Sequence, residues 1–239
     1  MAPQSTLTPA AKSAPRRTTR IAPLEPGDEL TRDEFERRYE AMPNVKKAEL
    51  IEGIVHMPSP VRWMQHAVPH AELLGWLVYY RTYTPGVHAG DNGSLRLDMD
   101  NEPQADAALI IDPASGGKVQ LSDDDFIVGA PELVAEISSS TASIDMNRKL
   151  RVYRRNQVRE YMVWRVLDLT VDWFVWRGGE FQQLSPDAEG IVRSEAFPGL
   201  WLDPKALVEG EMPRVLEVLQ RGIASEEHQQ FVERLRRPV

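Results

Sequence analysis

The pattern of apolar and polar positions predicts that helices and strands alternate along the chain. A capping-box pattern runs from Thr31 to Glu34, and apolar residues at helical spacing extend the predicted helix to about Ala41. The next segment, "AELIEGIVHM", predicts one or two short strands with a bend at Gly53. Leucines then recur at helical spacing over about 65–81, which predicts the first long helix.

The rest of the chain is richer in strands. The segments "SLRLDMD", "QADAALII" and "PELVAEIS" predict three strands, and a helix capped by Ser143 or Asp145 follows to about Asn156. "EYMVWRV", "TVDWFVW" and "EFQQL" predict three more strands, and "RGG" joins the last two as a hairpin turn. Helices are predicted over about 204–221 and then to about residue 236. This order favours a single α/β domain around one mixed sheet.

Two of these strands carry a carboxylate among apolar residues. Side chains alternate along "ELVAEIS", so Glu136 shares a face with Val134 and Ser138, while the opposite face is wholly apolar. In "QADAALII", Asp106 is followed by five apolar residues. Burial of an unpaired charge is costly, so each acid needs a partner, a bound cation or a position at the rim of a cleft.

The two acids suggest a metal site, and a lysine downstream adds to it. Two neighbouring carboxylates repel each other unless a cation lies between them, and Mg²⁺ prefers oxygen ligands such as two acids and a backbone carbonyl. Lys149 follows Glu136 by thirteen residues, on the next helix, where it could stabilise charge developing on a phosphate. The alternatives stay open: Asp106 as a turn-capping acid, Glu136 in a structural salt bridge, and Lys149 as a solvated helix residue.

Composition narrows the class of protein. A chain of 239 residues with 42% apolar composition suffices for one large domain. The absence of cysteine excludes disulfides and thiolate zinc sites and fits the cytoplasm. No apolar run approaches the roughly 20 residues that span a bilayer. Residues 1–23 have the composition of a disordered, weakly basic tail, which leaves 24–203 for the domain and 204–239 for a helical extension packed on it.

Charge and histidine patterns mark further candidate residues. The net charge of −8 argues against binding nucleic acid over a wide surface, but residues 147–159 contain no acid. This run is either a solvated helix face or a set of phosphate contacts. The histidines of the first long helix, His66 and His70, lack the glutamate of a zinc HExxH motif, so a contact with a phosphate or the site rim is favoured over a metal role. The arginines of this run that are candidates for phosphate contacts are Arg148, Arg151 and Arg155.

Aromatic residues are assigned mainly to the core. Tyr153 lies one turn from Lys149 and either reaches the site or packs beside Leu150 and Met146. Base stacking would need exposed rings, which the strand alternation does not favour. The tryptophans predicted as strand or core residues are Trp164, Trp173, Trp176 and Trp201.

Four sequence blocks together resemble a known family. "QADAALI", "ELVAEIS" and "NRKLRVYRRNQVREYMVW", with "AELIEG" upstream, look like the Uma-two family of restriction-endonuclease-like proteins, in the PD-(D/E)XK nuclease superfamily. The resemblance covers roughly 30–202, and the order and spacing of the blocks agree. It implies a restriction-endonuclease-like fold, with a central mixed sheet flanked by helices and extra helices at the C-terminus.

The resemblance also implies roles for single residues. The superfamily's first acid falls on Asp106 and the (D/E)XK acid on Glu136, with the Ile137 carbonyl as a further metal ligand. The motif lysine position is Ser138, so the lysine's role passes to Lys149.

The same resemblance gives one further departure from the motif and one further match. The proline expected before Asp106 is Ala105. A third acid that could orient water falls on Glu49 or Glu52, and Glu49 is favoured because it precedes the apolar pair Leu50 and Ile51.

The expected function follows from these roles. The chain would hydrolyse phosphodiester bonds with Mg²⁺ or Mn²⁺ as cofactor, and DNA is the favoured substrate. No membrane partner is expected, and a homodimer is one assembly considered. The alternatives are a catalytically inactive relative that binds nucleic acid or protein, and an enzyme acting on another phosphate ester. If Lys149 is catalytic, its ammonium should lie within about 6 Å of a carboxylate of Glu136 or Asp106.

Overall fold

The computed structural model describes residues 21–57 and 60–237, so residues 1–20 of the predicted tail lie outside the described residues. A π-helical turn precedes the second helix, at Trp63–Ala67, and another precedes the third, at Ile144–Lys149. A short 3₁₀ turn covers Pro113–Ser115. The helices are α1 (Arg32–Glu40), α2 (Val68–Thr82), α3 (Leu150–Arg155), α4 (Pro204–Val208), α5 (Met212–Ile223) and α6 (Glu226–Leu235).

Twelve strands form one large mixed sheet and two small hairpin-like pairs in the described residues. The strands are β1 (Glu49–Ile51), β2 (Ile54–His56), β3 (Val87–Arg96), β4 (Gln104–Ile111), β5 (Gln120–Leu121), β6 (Ile127–Val128), β7 (Leu133–Ser138), β8 (Glu160–Arg165), β9 (Thr170–Arg177), β10 (Glu180–Gln183), β11 (Val192–Arg193) and β12 (Trp201–Leu202). The large sheet has the order β10-β9-β8-β7-β4-β3-β6-β5, while β1 pairs with β2 and β11 with β12.

In the middle of the large sheet, the pairing of β4 with β7 determines how Asp106 and Glu136 lie relative to each other. β7 runs parallel to β8 and antiparallel to β4. Ala107 lies opposite Ala135, and the β4–β7 ladder continues in the direction away from the acids. One residue further on, the same register would set Asp106 opposite Glu136. Instead of continuing the ladder, the Ile137 N–H donates to the carboxylate of Asp106, at 2.9 Å.

Both faces of the sheet are covered, which explains why β4 and β7 are apolar along nearly their whole length. One face packs against α2 and the C-terminal helices, in a cluster that includes Leu133, Ala135 and Ile137 of β7. The other face packs against α3, in a second cluster that includes Val134 and Tyr153. The predicted alternation along β7 and the mixed α/β fold class are therefore confirmed.

Several local predictions need correction. The strand predicted from "SLRLDMD" begins seven residues earlier, at Val87, and ends at Arg96. Its polar first half is held by pairing with β4, a contact that alternation within one strand cannot reveal. Thr31 occupies the N-cap of α1, but its side chain makes no capping hydrogen bond, and Glu34 binds Arg37 and Arg38 instead.

Other predicted elements match the structure closely. The bend at Gly53 has a positive φ of 74°, a conformation that glycine adopts without steric cost. The turn at "RGG" joins β9 to β10 as predicted. Three of the four tryptophans assigned to the core are buried, and Trp176 is half-buried. Within the described ranges, no helix combines the length and the apolar character needed to cross a bilayer.

Candidate active site

Charged side chains from four parts of the chain meet at the end of the β4–β7 ladder. They come from the segment that enters β1, from β4, from β7 and from the π-helical turn before α3. All but Lys47 are buried, and the Lys47 side chain is 24% exposed. The members of this acid–lysine cluster are Lys47, Glu49, Asp106, Glu136, Asp145 and Lys149.

Lys149 lies at the centre of the acid–lysine cluster. Its Nζ is 2.9 Å from Glu136 Oε1, 2.9 Å from Glu49 Oε1 and 3.9 Å from Asp145 Oδ1. The distance expected from the sequence is therefore confirmed. Burial lowers the pKa of Lys149, but the surrounding carboxylates outweigh burial and raise it well above its ordinary value. The ammonium is charged and only 4% of the residue is exposed.

Glu136 accepts hydrogen bonds through one of its two carboxylate oxygens. Its Oε1 accepts from Lys149 and also from the Tyr153 hydroxyl, which lies at 2.9 Å. Tyr153 therefore fulfils both roles considered for it, because it packs in the cluster under α3 and also contacts the site. Burial raises the pKa of Glu136 to about 8 against the opposing effect of Lys149, and the neighbouring acids Asp106, Asp145 and Glu49 add to the rise.

Asp106 has a different environment, with donors on both oxygens. Oδ2 accepts from the Ile137 N–H at 2.9 Å and lies 3.2 Å from His66 Nε2, while Oδ1 lies 3.2 Å from Lys47 Nζ. Burial raises the pKa of Asp106, but the hydrogen bond from His66 and the charges of Lys47 and Lys149 bring it below its usual range. Asp106 is thus ionised, in contrast to the raised pKa of Glu136.

The two histidines both reach the same residue. His66 contacts the Asp106 carboxylate, and His70 Nε2 lies 2.7 Å from the Asp106 carbonyl oxygen and 3.1 Å from the Asp91 carboxylate. Their rings are 5.7 Å apart, edge to face. Both histidines therefore hold the Asp106 segment at the rim of the acid–lysine cluster.

The structure separates the two candidates for the third acid. Glu49 belongs to the acid–lysine cluster, and its Oε1 also accepts from the Gln104 N–H at 2.9 Å. Glu52 lies outside, where it forms a bidentate pair with Arg151, both distances being 3.0 Å. The two are only three residues apart, but Glu49 lies in β1 while Glu52 lies in the turn between β1 and β2, where its φ is 52°.

The predicted phosphate-binding arginines are less free than the sequence suggests. Arg151 pairs with Glu52, and Arg155 lies 3.0 Å from Asp98. Arg148 has a buried Nη1 atom without a hydrogen-bond partner among the described residues. The basic run is thus partly neutralised by acids from distant segments, although exposed pairs of this kind are worth only about 0–1 kcal/mol and can open.

Sequence reasoning missed two members of the acid–lysine cluster as site residues. Lys47 precedes Glu49 by two residues, and on an extended chain this spacing places both side chains on one side. Asp145 precedes Lys149 by four residues, the spacing of neighbours on a helix, but was considered only as a cap. The Thr141 hydroxyl donates to Asp145 Oδ2 at 2.6 Å, so this acid is held inside the cluster.

The chemistry of these residues fits a hard divalent cation, which would have few protein ligands. The acid–lysine cluster has four carboxyl groups and two ammonium groups, an excess of acid that a divalent cation would balance. The Ile137 N–H faces β4, and its carbonyl points to the same side, as in any strand. No three acid or histidine side chains in the described part of the chain converge as metal ligands. Mg²⁺ commonly binds through one or two carboxylates and keeps several waters.

Comparison with known proteins agrees with this fold. A family model described as "Putative restriction endonuclease", Uma2, matches residues 32–205. A solved structure from Anabaena variabilis ATCC 29413, "a putative nuclease belonging to DUF820", superposes with a TM-score of 0.54 at 16% identity, covering 75% of this chain and 99% of that one. No protein with curated annotation matches the chain. Because the family model spans most of the sequence, the chain belongs to the Uma2 family of restriction-endonuclease-like proteins.

Proposed function

We propose that this protein is a divalent-metal-dependent endonuclease that hydrolyses phosphodiester bonds, with DNA as its substrate. One observation supports this proposal above the others. Asp106, Glu136 and Lys149 come from two neighbouring strands and the following helical turn, and they meet at one end of a strand ladder. The substrate, a cytoplasmic location and a homodimer are parts of the proposal that need their own measurements.

The candidate residues divide into metal-holding and charge-stabilising groups. Asp106, Glu136 and the Ile137 carbonyl would hold Mg²⁺ or Mn²⁺. When bound, such an ion supplies a Lewis acid that neutralises phosphate charge. The Ile137 N–H orients the Asp106 carboxylate.

Lys149 and its neighbours would act on the reacting phosphate. The Lys149 ammonium would donate to the phosphate oxygen on which negative charge develops, a contribution that is strongest when the donor is fixed beforehand. Glu49 holds the ammonium in place, at 2.9 Å. Lys47 and His66, on the more exposed side of Asp106, would receive the substrate phosphate.

A second candidate function is a binding module without catalysis. It is favoured by the burial of Lys149, whose ammonium is enclosed by carboxylates and only 4% exposed as a residue. A lysine held in this way acts as a structural counter-charge unless a ligand draws it out. Arg151 and Arg155 are paired with acids, so fewer free positive charges remain for a broad nucleic-acid groove. This also favours the binding module.

A nuclease assay separates the two. Single- and double-stranded DNA and RNA would be incubated with Mg²⁺, Mn²⁺ or EDTA, using the wild type, Asp106→Asn and Glu136→Gln. We expect metal-dependent cleavage that both variants lose. Glu180→Gln, a change of an exposed acid paired with Arg154 far along the sheet, is the matched control and should cleave normally. Cleavage that persists in EDTA, or cleavage by both site variants at the wild-type rate, would contradict the proposal. Binding of nucleic acid without cleavage would favour the binding module.

A further inference from the structure

One tryptophan is exposed while the others are not. Trp63 is 75% exposed, the highest value for a large apolar side chain in the described ranges, and Met64 and Val61 beside it are 70% and 65% exposed. The remaining tryptophans are buried or half-buried: Trp76, Trp164, Trp173, Trp176 and Trp201. An exposed indole does not gain the burial that stabilises the other tryptophans. Adjacent exposed apolar side chains of this kind are typical of a surface that binds a ligand or partner.

The exposed ring belongs to a turn that also contacts the candidate active site. Trp63 begins the π-helical turn Trp63–Ala67, which has no buried residue of its own. Three positions later in the same turn, His66 contacts the Asp106 carboxylate at 3.2 Å. The turn that carries the indole is therefore anchored to the rim of the acid–lysine cluster through His66.

Charge around Trp63 indicates what kind of ligand fits. Arg62 is exposed, and its Nη1 donates to Gln65 Oε1 at 3.1 Å. In the described part of the chain, no carboxylate pairs with Arg62, in contrast to Arg151 and Arg155. An exposed aromatic residue preceded along the chain by an exposed arginine without an acid partner has the chemistry that a nucleotide needs, since a nucleotide carries both a base and a phosphate. A purely apolar protein partner would leave this charge unmatched.

We propose that Trp63 stacks on an unpaired base of the substrate, next to the phosphate that is cleaved, and that Arg62 contacts a neighbouring phosphate. The ligand is therefore single-stranded, or locally unpaired, nucleic acid, since a paired base in a duplex does not offer its face. This inference rests on the proposed function for the identity of the cleaved phosphate, but the binding it describes does not require cleavage. Stacking of this kind tolerates any base sequence.

Tryptophan fluorescence tests the stacking directly. The full chain would be titrated with oligothymidylate in EDTA, and again in Ca²⁺, while tryptophan emission is recorded. We expect quenching, because Trp63 is the exposed fluorophore. Trp63→Leu keeps an apolar side chain without a ring and should weaken binding, followed by anisotropy of a labelled strand, by about 5- to 150-fold. Trp63→Phe keeps an aromatic face and should bind nearly as the wild type does.

Two controls separate stacking from other roles of the surface. Tyr83→Leu removes another half-exposed aromatic ring at the far end of α2 and should not change binding. A strand with abasic positions should bind the wild type and Trp63→Leu equally weakly, because neither then has a base to stack on.

The outcomes also separate this inference from the proposed function. Wild-type affinity in Trp63→Leu, or equal affinity of the wild type for the normal and abasic strands, overturns the stacking. So does a loss of self-association in Trp63→Leu, by sedimentation, with binding of the strand unchanged, since the ring would then contact a second copy. If no metal supports cleavage but the ring- and base-dependent binding remains, the stacking stands and the endonuclease proposal fails.

Discussion

The hydrogen-bond donors around a carboxylate in a buried strand indicate whether it stabilises the fold or belongs to a candidate site. Glu160 is fully buried, yet its partners are the Trp173 indole, the Ser194 hydroxyl and the backbone N–H groups of residues 195 and 196. Glu132 likewise accepts from backbone N–H groups. These acids are fixed parts of the fold. Asp106 and Glu136 differ, because the ammonium groups of Lys47 and Lys149 lie against them as counter-charges.

Lys149→Ala should destabilise the protein in a pH-dependent way. The change leaves Glu49 and Glu136 buried without a counter-charge, which costs about 3–5 kcal/mol when a buried pair is broken. Burial already raises the pKa of Glu136 from 4.5 to about 8, and loss of the ammonium raises it further. The folded variant thus binds protons more tightly than the unfolded chain, so its stability is greatest at acid pH and falls as pH rises through that pKa.

Thermal melting from about pH 5 to pH 9 measures this effect. The difference in Tm between wild type and Lys149→Ala should widen with pH. Arg151→Ala breaks an exposed pair and should shift Tm little at any pH, since such pairs are worth about 0–1 kcal/mol. A Tm difference that does not change with pH would show that Lys149 is not the counter-charge of these acids.

The same variant should lose activity without losing metal. At a pH where it is folded, Lys149→Ala should cleave at least about 100-fold more slowly, the cost of a lost transition-state donor. Calorimetric titration should give an Mn²⁺ affinity close to that of the wild type. Ser138→Lys in this background should restore part of the rate, because Ser138 lies on the face of β7 that carries Glu136. A fully active Lys149→Ala would remove the lysine from the mechanism.

A second titrating carboxyl lies outside the acid–lysine cluster. Glu102 is 2% exposed, its Oε2 has no hydrogen-bond partner among the described residues, and Arg96 Nε is 4.0 Å away. Burial, and then the neighbouring Glu36 carboxyl, raise the pKa of Glu102 to about 8. Because the folded state holds this proton more tightly, the stabilisation is present below pH 4.5 and is lost as pH rises through about 8.

Glu102→Gln should therefore remove part of the alkaline loss of stability. The amide resembles the protonated acid, so the variant should melt above the wild type at about pH 9, with each unit of pKa shift worth about 1.4 kcal/mol. At about pH 5 the advantage should disappear. Glu209→Gln, at a half-exposed position, is the control. Parallel Tm curves for wild type and Glu102→Gln would refute the raised pKa.

At the scale of elements, the two π-helical turns decide where the site residues point. The first carries His66 and the second carries Asp145 and Lys149. Apolar spacing predicted helices in both places, and helices are present, but the wider turn at each start is not visible in the pattern. Single π-helical turns occur frequently at functional sites, where they change the direction of a side chain.

Two helical glycines should respond in opposite ways to the same change. In α5, a β-carbon on Gly222 would overlap the Gly199 carbonyl and lie 2.8 Å from Trp201 Cγ. Gly222→Ala should therefore destabilise the protein by about 1–3 kcal/mol, the cost of overpacking. Gly75 of α2 is exposed with open space around it, so Gly75→Ala should stabilise by about 0.5–1 kcal/mol. Chemical denaturation measures both, and a neutral Gly222→Ala would mean that α5 does not dock this closely.

At the scale of the whole molecule, the C-terminal helices complete the core under the sheet. The family match ends at residue 205, but α5 and α6 follow it and pack on the same cluster as α2 and β7. Their buried contributors to this cluster are Val215, Leu219, Phe231 and Leu235. Each such side chain is worth roughly 1.5–3 kcal/mol, so together they approach the total stability of a typical domain, about 5–15 kcal/mol.

Deletion of residues 204–239 should consequently prevent folding. The truncated chain should show no cooperative melting and should aggregate, which circular dichroism and light scattering would detect. Deletion of residues 1–20, which have the composition of a disordered tail, is the matched comparison and should barely change the Tm. A cooperative transition in the truncated chain would show that the preceding 203 residues form an independent unit.

Which elements could be predicted depended on their length and burial. Apart from their carboxylates β4 and β7 are largely apolar and are buried on both faces, and the sequence located β4 at its observed bounds and β7 within two residues. The strands β5, β6, β11 and β12 have two residues each, too few for any periodicity, and were not predicted. They exist through backbone pairing with other segments, β6 with the longer β3 and with β5, and β11 with β12, which is a tertiary effect.

The sequence by itself determined the order and type of the main elements, and it singled out Asp106, Glu136 and Lys149. It could do so because side-chain periodicity and the cost of a buried charge are local properties of the chain. Only the tertiary structure decided what surrounds them. Lys47 reaches Asp106 across 59 residues and His66 across 40, while acids from remote segments neutralise the arginines of the basic run. Such contacts depend on strand register and on the direction of two π-helical turns, neither of which is written in the pattern of a single segment.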